Sequence, residues 1–166
     1  MKVNIEFEST DAQGDVLRSN VFAVMEVRRQ DYRLVYVEDL SGGGKMTRST
    51  IHISEEGLRI TRKRELNTDS MYGKSLVHHT TYHTPYGMIP VTIETDAYDF
   101  NIGRTDGLPL DDMKAYTDTL WDGPGLPDDF EICAETSYRL IMGEQEALPM
   151  KIRMRITSAE QEIHRE

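Results

Sequence analysis

Four polar side chains fall where strand alternation calls for apolar ones: Tyr36, Glu38, Arg62 and Tyr82. Along Tyr32–Leu40, the face that carries Tyr32, Leu34 and Tyr36 ends in Glu38. Thr50 and His52 share a face of the next segment, and Leu58, Ile60, Arg62 and Arg64 share one of the segment after it. Leu76, His78, Thr80 and Tyr82 line up in the same way. A carboxylate and a guanidinium that meet across an enclosed space can pair bidentately, with tyrosines completing the hydrogen bonds. Left unpaired, either charge costs several kcal/mol. The expectation is an interior network in which Glu38 and Arg62 are partners or share an intermediary. Tyr36, Thr50, Arg64, His78 and Tyr82 would surround them. Such a network either binds a small polar or anionic ligand or closes on itself to hold strand register, and both readings stay open.

Other chemistry is weakly signalled. His79 and His83 share a strand face but stand about 13 Å apart at ~3.3 Å per residue, too far to hold one ion, and His78 points away. With no HExxH and no cysteine pair, no metal site is expected, and no cofactor either. Ser41-Gly42-Gly43-Gly44-Lys45 lacks the order of a phosphate loop and reads as a hairpin connection. Serines, histidines and aspartates are present, but nothing in their spacing assembles a hydrolase triad, so catalytic residues are not assigned. The single cysteine, Cys133, excludes an intrachain disulfide and reads as a buried, inert thiol in a strand.

The elements that position these residues are strands. Val3, Ile5 and Phe7 alternate with charged or polar neighbours. Leu17–Arg29 is less regular: Phe22 and Val24 fall opposite Val21, Ala23, Met25 and Val27, which implies either two covered faces or a bulge. Tyr32–Leu40, Met46–Ile53 and Leu58–Arg64 follow. After a polar break come Lys74–His83 and Met88–Ile102, joined through Pro85 and Gly87. Phe130–Met142 and Leu148–Ile156 form the last pair. Nine strands with short links favour an all-β, closed antiparallel barrel over a two-sheet sandwich, because closure removes the edges.

At 166 residues the chain fits one domain, 1–166, and its formal charge of −10 argues against nucleic acid and anionic membrane as partners. The first residues alternate apolar and charged without an apolar run, and no stretch approaches a membrane span, so the expected location is the cytoplasm. Whether a protein partner or an oligomer exists is not legible. Arg104–Asp129 departs from the strand pattern. Leu110, Met113, Thr117, Leu120 and Trp121 recur at helical spacing, which predicts a short amphipathic helix in a long loop, either a fixed plug or a lid.

The ordered motifs YRLVYVEDL, GGGKMTRSTIHI, LRITRKRE and YHTPYG resemble those of the bacterial domain of unknown function 1934, the YwiB-like proteins of the calycin-like barrel group. The resemblance spans most of the chain. It carries the family pattern onto Tyr36, Glu38, Thr50, Arg62, Tyr82, Thr84, Pro85, Tyr86 and Gly87. It implies a lipocalin-like barrel without an established activity. Arg62-Lys63-Arg64 departs from the family's Arg-x-Gly, and Arg104–Asp129 is longer than the family's usual link.

Overall fold

In the computed structural model, residues 1–28, 31–39, 43–64, 67–105, 126 and 128–159 are described. The described residues form ten strands: β1 Lys2–Thr10, β2 Val16–Arg28, β3 Asp31–Glu38, β4 Thr47–Ile53 and β5 Gly57–Lys63, then β6 Thr68–Gly73, β7 Val77–Thr84, β8 Gly87–Arg104, β9 Phe130–Met142 and β10 Leu148–Ser158. They form a single antiparallel sheet in the order β6-β5-β4-β3-β2-β1-β10-β9-β8-β7. The first and last strands therefore pair in its middle, with Val3 opposite Ser158 and Ile5 opposite Ile156. The two outer strands, β6 and β7, are neighbours in sequence.

Those outer strands come together to make a nearly closed barrel. Asn67 and His83 exchange two main-chain hydrogen bonds, 3.1 and 2.9 Å, as an antiparallel bridge. Ser70 Oγ and Tyr82 Oη lie 2.6 Å apart across the same seam, and His78 Nε2 lies 3.1 Å from the Asp69 carbonyl oxygen. The expected barrel of eight or more strands is thus present with ten. The additional strand, β6, lies in the polar break. Its inward side chains are Thr68, Ser70 and Tyr72, so no apolar alternation announced it.

Val3, Ile5, Leu34, Ile51, Ile93, Ile132, Met154 and Ile156 are fully buried and fill the barrel interior with Tyr32 and Phe130. Burying an aliphatic or aromatic side chain of this size stabilises by about 1.5–3 kcal/mol. In β8 a bulge between Thr95 and Ala97 changes the phase, so that Val91, Ile93 and Thr95 are buried before it and Tyr98 after it. β2 has no such irregularity. Its ladder to β1 is unbroken, Ala23 and Met25 are buried, and Phe22 and Val24 stand 69% and 58% exposed. Neither the bulge nor the second covered face expected for β2 is found.

Because each link reverses the chain, the β3–β4, β5–β6 and β7–β8 connections gather at one end of the barrel, and the β8–β9 link leaves from the other. That link is pinned where it begins and ends, by the Thr105 amide donating to the Asp129 carbonyl at 2.8 Å and by Arg104 Nε on Asp129 Oδ2 at 2.8 Å. The helix expected within it falls on 106–125, outside the described residues. Among the described residues no helix is long and apolar enough to cross a membrane.

Gly57 and Gly73 face each other across β5 and β6. A Cβ on Gly57 would lie 2.5 Å from the Tyr72 carbonyl oxygen, which belongs to the backbone and cannot swing aside. Gly57→Ala is expected to lower stability by about 1–3 kcal/mol in urea denaturation, with the far-UV spectrum retained.

Candidate functional site

At the end where the β3–β4, β5–β6 and β7–β8 links gather, the inward faces of β3 to β7 turn polar. Cross-strand register fixes the arrangement: Glu38 opposite Thr47, Tyr36 opposite Ser49, Ser49 opposite Arg62, and Arg62 opposite Thr68. Residues directly opposite share a face, so all six look into the barrel. Thr47 and Ser49 are 0% exposed and Thr68 is 6%. The oxygens Thr47 Oγ1, Ser49 Oγ and Thr68 Oγ1 are shielded from solvent without a formed hydrogen bond. A buried hydroxyl left in this condition costs about 1–3 kcal/mol.

Arg62 is the charge at the centre of this face. Its guanidinium acts electrostatically on the hydroxyls of Tyr36, Tyr82 and Tyr138. Burial pushes the Tyr36 phenol above its ordinary value; Arg62 and the neighbouring Ser49 pull it back, and Glu38 pushes it up. Ser49 stands directly opposite Tyr36 on β4. No ion pair joins Glu38 to Arg62 among the described residues. The two charges act in opposite directions on the Tyr36 hydroxyl. Beside them, Tyr72 and Tyr138 meet edge to face with ring centroids 4.8 Å apart. Burial holds the Tyr138 phenol at about 12.

The structure brings Tyr36, Glu38, Arg62 and Tyr82 onto this inner face and leaves two expected members off it. Thr50 lies on the outer face, because β4 points Thr47, Ser49, Ile51 and Ile53 inward. Arg64 lies beyond the end of β5, exposed, with a φ of +99° and its backbone held by the Asn67 side chain. His78 does face inward, but at the β6–β7 seam, where it is occupied with the Asp69 carbonyl. His79 faces Thr92 across the outer surface at 3.0 Å, and His83 contributes its backbone to closure. Among the described residues, no three histidines, cysteines, aspartates or glutamates converge as metal ligands. Thr47, Ser49, Thr68 and Ser70 were missed. A signal existed for β4, since the apolar phase of Ile51 and Ile53 already placed Ser49 and Thr47 inside.

The turn between β7 and β8 is the two-residue Pro85-Tyr86 loop, with Thr84 opposite Gly87. Thr84 Oγ1 donates to the Gly87 carbonyl at 2.9 Å and accepts from the Tyr86 amide at 3.2 Å. Gly87 has a φ of +122°, a conformation that an L side chain resists. Pro85 lines an open depression of about 660 Å³ with Gly44, Lys45, Met46 and Arg64. The lining of this depression thus includes two cations, Lys45 and Arg64.

A nearly closed, ten-stranded antiparallel barrel with a polar inner face at one end defines the class of this protein. The chain belongs to the family described as "Domain of unknown function (DUF1934)", whose model matches residues 2–110. Among solved structures, the crystal structure of ywiB protein from Bacillus subtilis is similar in fold. The match has a TM-score of 0.55 and 13% sequence identity, and it covers 92% of this chain and 88% of that one. No curated protein matches the chain.

Two outcomes are expected. Tyr36→Phe and Arg62→Met should be coupled by roughly 0.5–3 kcal/mol in a double-mutant cycle read by urea denaturation, whereas Glu38→Leu with Arg62→Met should be nearly additive. Cys133 is half-buried on β9, and its Sγ donates to Glu131 Oε1 at 3.2 Å. Burial, with Glu131 beside it, pushes the thiol up to about 11. At pH 8 its alkylation by iodoacetamide should be more than ~10-fold slower than that of a free cysteine, whose thiol titrates near 8.5.

Proposed function

We propose that this barrel is a non-enzymatic binding or accessory protein whose inner polar face receives a small polar or anionic ligand. The observation that carries the reading is the set of three buried hydroxyls without hydrogen bonds, with Ser49 and Thr68 directly opposite Arg62 and Thr47 opposite Glu38. A guanidinium with several donors beside it suits a carboxylate or a phosphate, which accepts through more than one oxygen. Lys45 and Arg64 on the rim would draw an anion toward the mouth of a protein that is acidic overall. A calycin or lipocalin-like assignment rests on the same features: an up-and-down meander closed on itself, with one end bearing the site.

A structural reading has its own support. Ser70 and Tyr82 already satisfy each other at 2.6 Å, and the apolar half of the barrel is tightly filled. In that case the barrel is an interaction or scaffold module with a packed interior. A hydrolase has weaker grounds, since no nucleophile, base and acid converge on the polar face. A cytoplasmic location accords with a lone cysteine. The outer wall carries ion pairs such as Arg155 with Glu6 and Glu131, and Lys151 with Glu135. A lipid-facing barrel would need an apolar band there instead.

The test uses native mass spectrometry of gently purified protein, then thermal unfolding with inorganic phosphate and acetate. The expected result is a rise in Tm with at least one anion, lost in Arg62→Met and in Thr68→Val although both variants remain folded. Equal Tm shifts in the native chain and in Arg62→Met would overturn the site. No shift in the native chain and a bare mass would favour the packed module.

A further inference from the structure

Among the described residues, β2 from Val16 to Ala23 has a strand partner on one side only. Its ladder to β1 runs unbroken from Lys2 opposite Val24 to Thr10 opposite Val16. Its ladder to β3 begins only at Val24 opposite Val35. The two strands part there, so the barrel wall is forked toward the end that carries the polar face. Successive residues of a strand direct their amide and carbonyl groups to opposite sides. The Met25 amide donates to the Met1 carbonyl on the β1 side. Even-numbered residues of β2 therefore point the other way, and the main-chain groups of Val16, Arg18, Asn20 and Phe22 are directed at the open edge.

Nothing along this edge discourages a further strand. It has no proline and no bulge, and its one charge, Arg18, is engaged by Glu8 at 3.2 Å on the neighbouring strand. Val16, Leu17 and Phe22 are 45%, 72% and 69% exposed. The sequence from Val16 to Phe22, VLRSNVF, also reads alike from both ends: two apolar residues, three polar, two apolar. Antiparallel pairing of two identical strands about a two-fold axis demands such a pattern, because each residue meets its mirror position on the same face.

We propose that this edge pairs with the same edge of a second copy of the chain, about a two-fold axis at Ser19. Val16 then faces Phe22 of the second copy on the outer side, Leu17 faces Val21 on the inner side, and Arg18 faces Asn20. All four edge-directed residues gain partners, about eight main-chain hydrogen bonds at two for each of four facing pairs. The exposed apolar side chains at each end cover one another. The palindromic pattern selects a second copy over a foreign strand, which would need no symmetry in β2.

Sedimentation velocity across a wide dilution range tests the proposal, with Asn20→Pro as the decisive variant. Proline at this position removes an amide that faces the open edge and leaves the β1 ladder intact. The native chain is expected to be a dimer, and Asn20→Pro a monomer that keeps the native far-UV spectrum and unfolds cooperatively. Placed on the two-fold axis in a Cys133→Ser background, Ser19→Cys should oxidise to a disulfide-linked dimer. Its Cα would lie about 4.5 Å from its mate, within disulfide reach. Leu17→Cys, off the axis, should not. A native chain that stays monomeric at every concentration overturns the proposal and leaves the edge to a foreign strand. A dimer that survives Asn20→Pro, or cross-linking of Leu17→Cys as readily as Ser19→Cys, overturns it too. If Asn20→Pro fails to fold, the cysteine pair decides alone.

Discussion

Closure between β6 and β7 is the constraint on which the rest of the barrel depends. It is made by one main-chain bridge, Asn67 with His83, reinforced by Ser70 with Tyr82 and His78 with the Asp69 carbonyl. Those contacts replace a continuous ladder and protect two strands that would otherwise present free edges. They also bring β7 across from β5, which places Tyr82 in the field of Arg62. Without the seam, the polar inner face would be an open, solvated sheet edge, and its buried hydroxyls would be hydrated at no cost.

The seam and the polar face share one chemical character. Where the barrel is apolar, its strands are held by long ladders and interlocking aliphatic side chains. Where it is polar, hydroxyls and a guanidinium occupy the interior, and the ladders give way to single bridges and a fork. Buried polar groups hold a structure only when their partners are in place. Thr47, Ser49 and Thr68 lack them among the described residues. The same end of the molecule thus combines the weakest backbone pairing with the least satisfied side chains, a combination suited to a surface completed by something else.

The sequence revealed the strands wherever one face was apolar. β1, β3, β9 and β10 could be read from alternation alone, because Val3 and Ile5, or Ile132 and Ala134, carry the period without interruption. β6 could not, since its inward residues are Thr68, Ser70 and Tyr72 and its pattern has no apolar contrast. The site was legible in part for a related reason. Tyr36, Glu38, Arg62 and Tyr82 are conspicuous as large polar groups in apolar phase, whereas Ser49 and Thr68 are small and look like ordinary surface residues. Arg64 was misplaced because a strand pattern cannot announce where a backbone turns to positive φ. Glu38 and Arg62 do share one face, but no period-2 pattern tells whether two charges on one face touch.

The union of β1 with β10 at the middle of the sheet has a consequence for how the molecule is made. Val3 must find Ser158, so β1 waits for β10, which is synthesised much later. Until then β1 is an unpaired edge on one side, and the barrel cannot shut before β10 has left the ribosome. Contacts of such long sequence separation make folding slow, because loop entropy is lost before pairing repays it. Until β10 is available, the open side of β1 is therefore an adhesive edge that the folding chain must keep from pairing elsewhere.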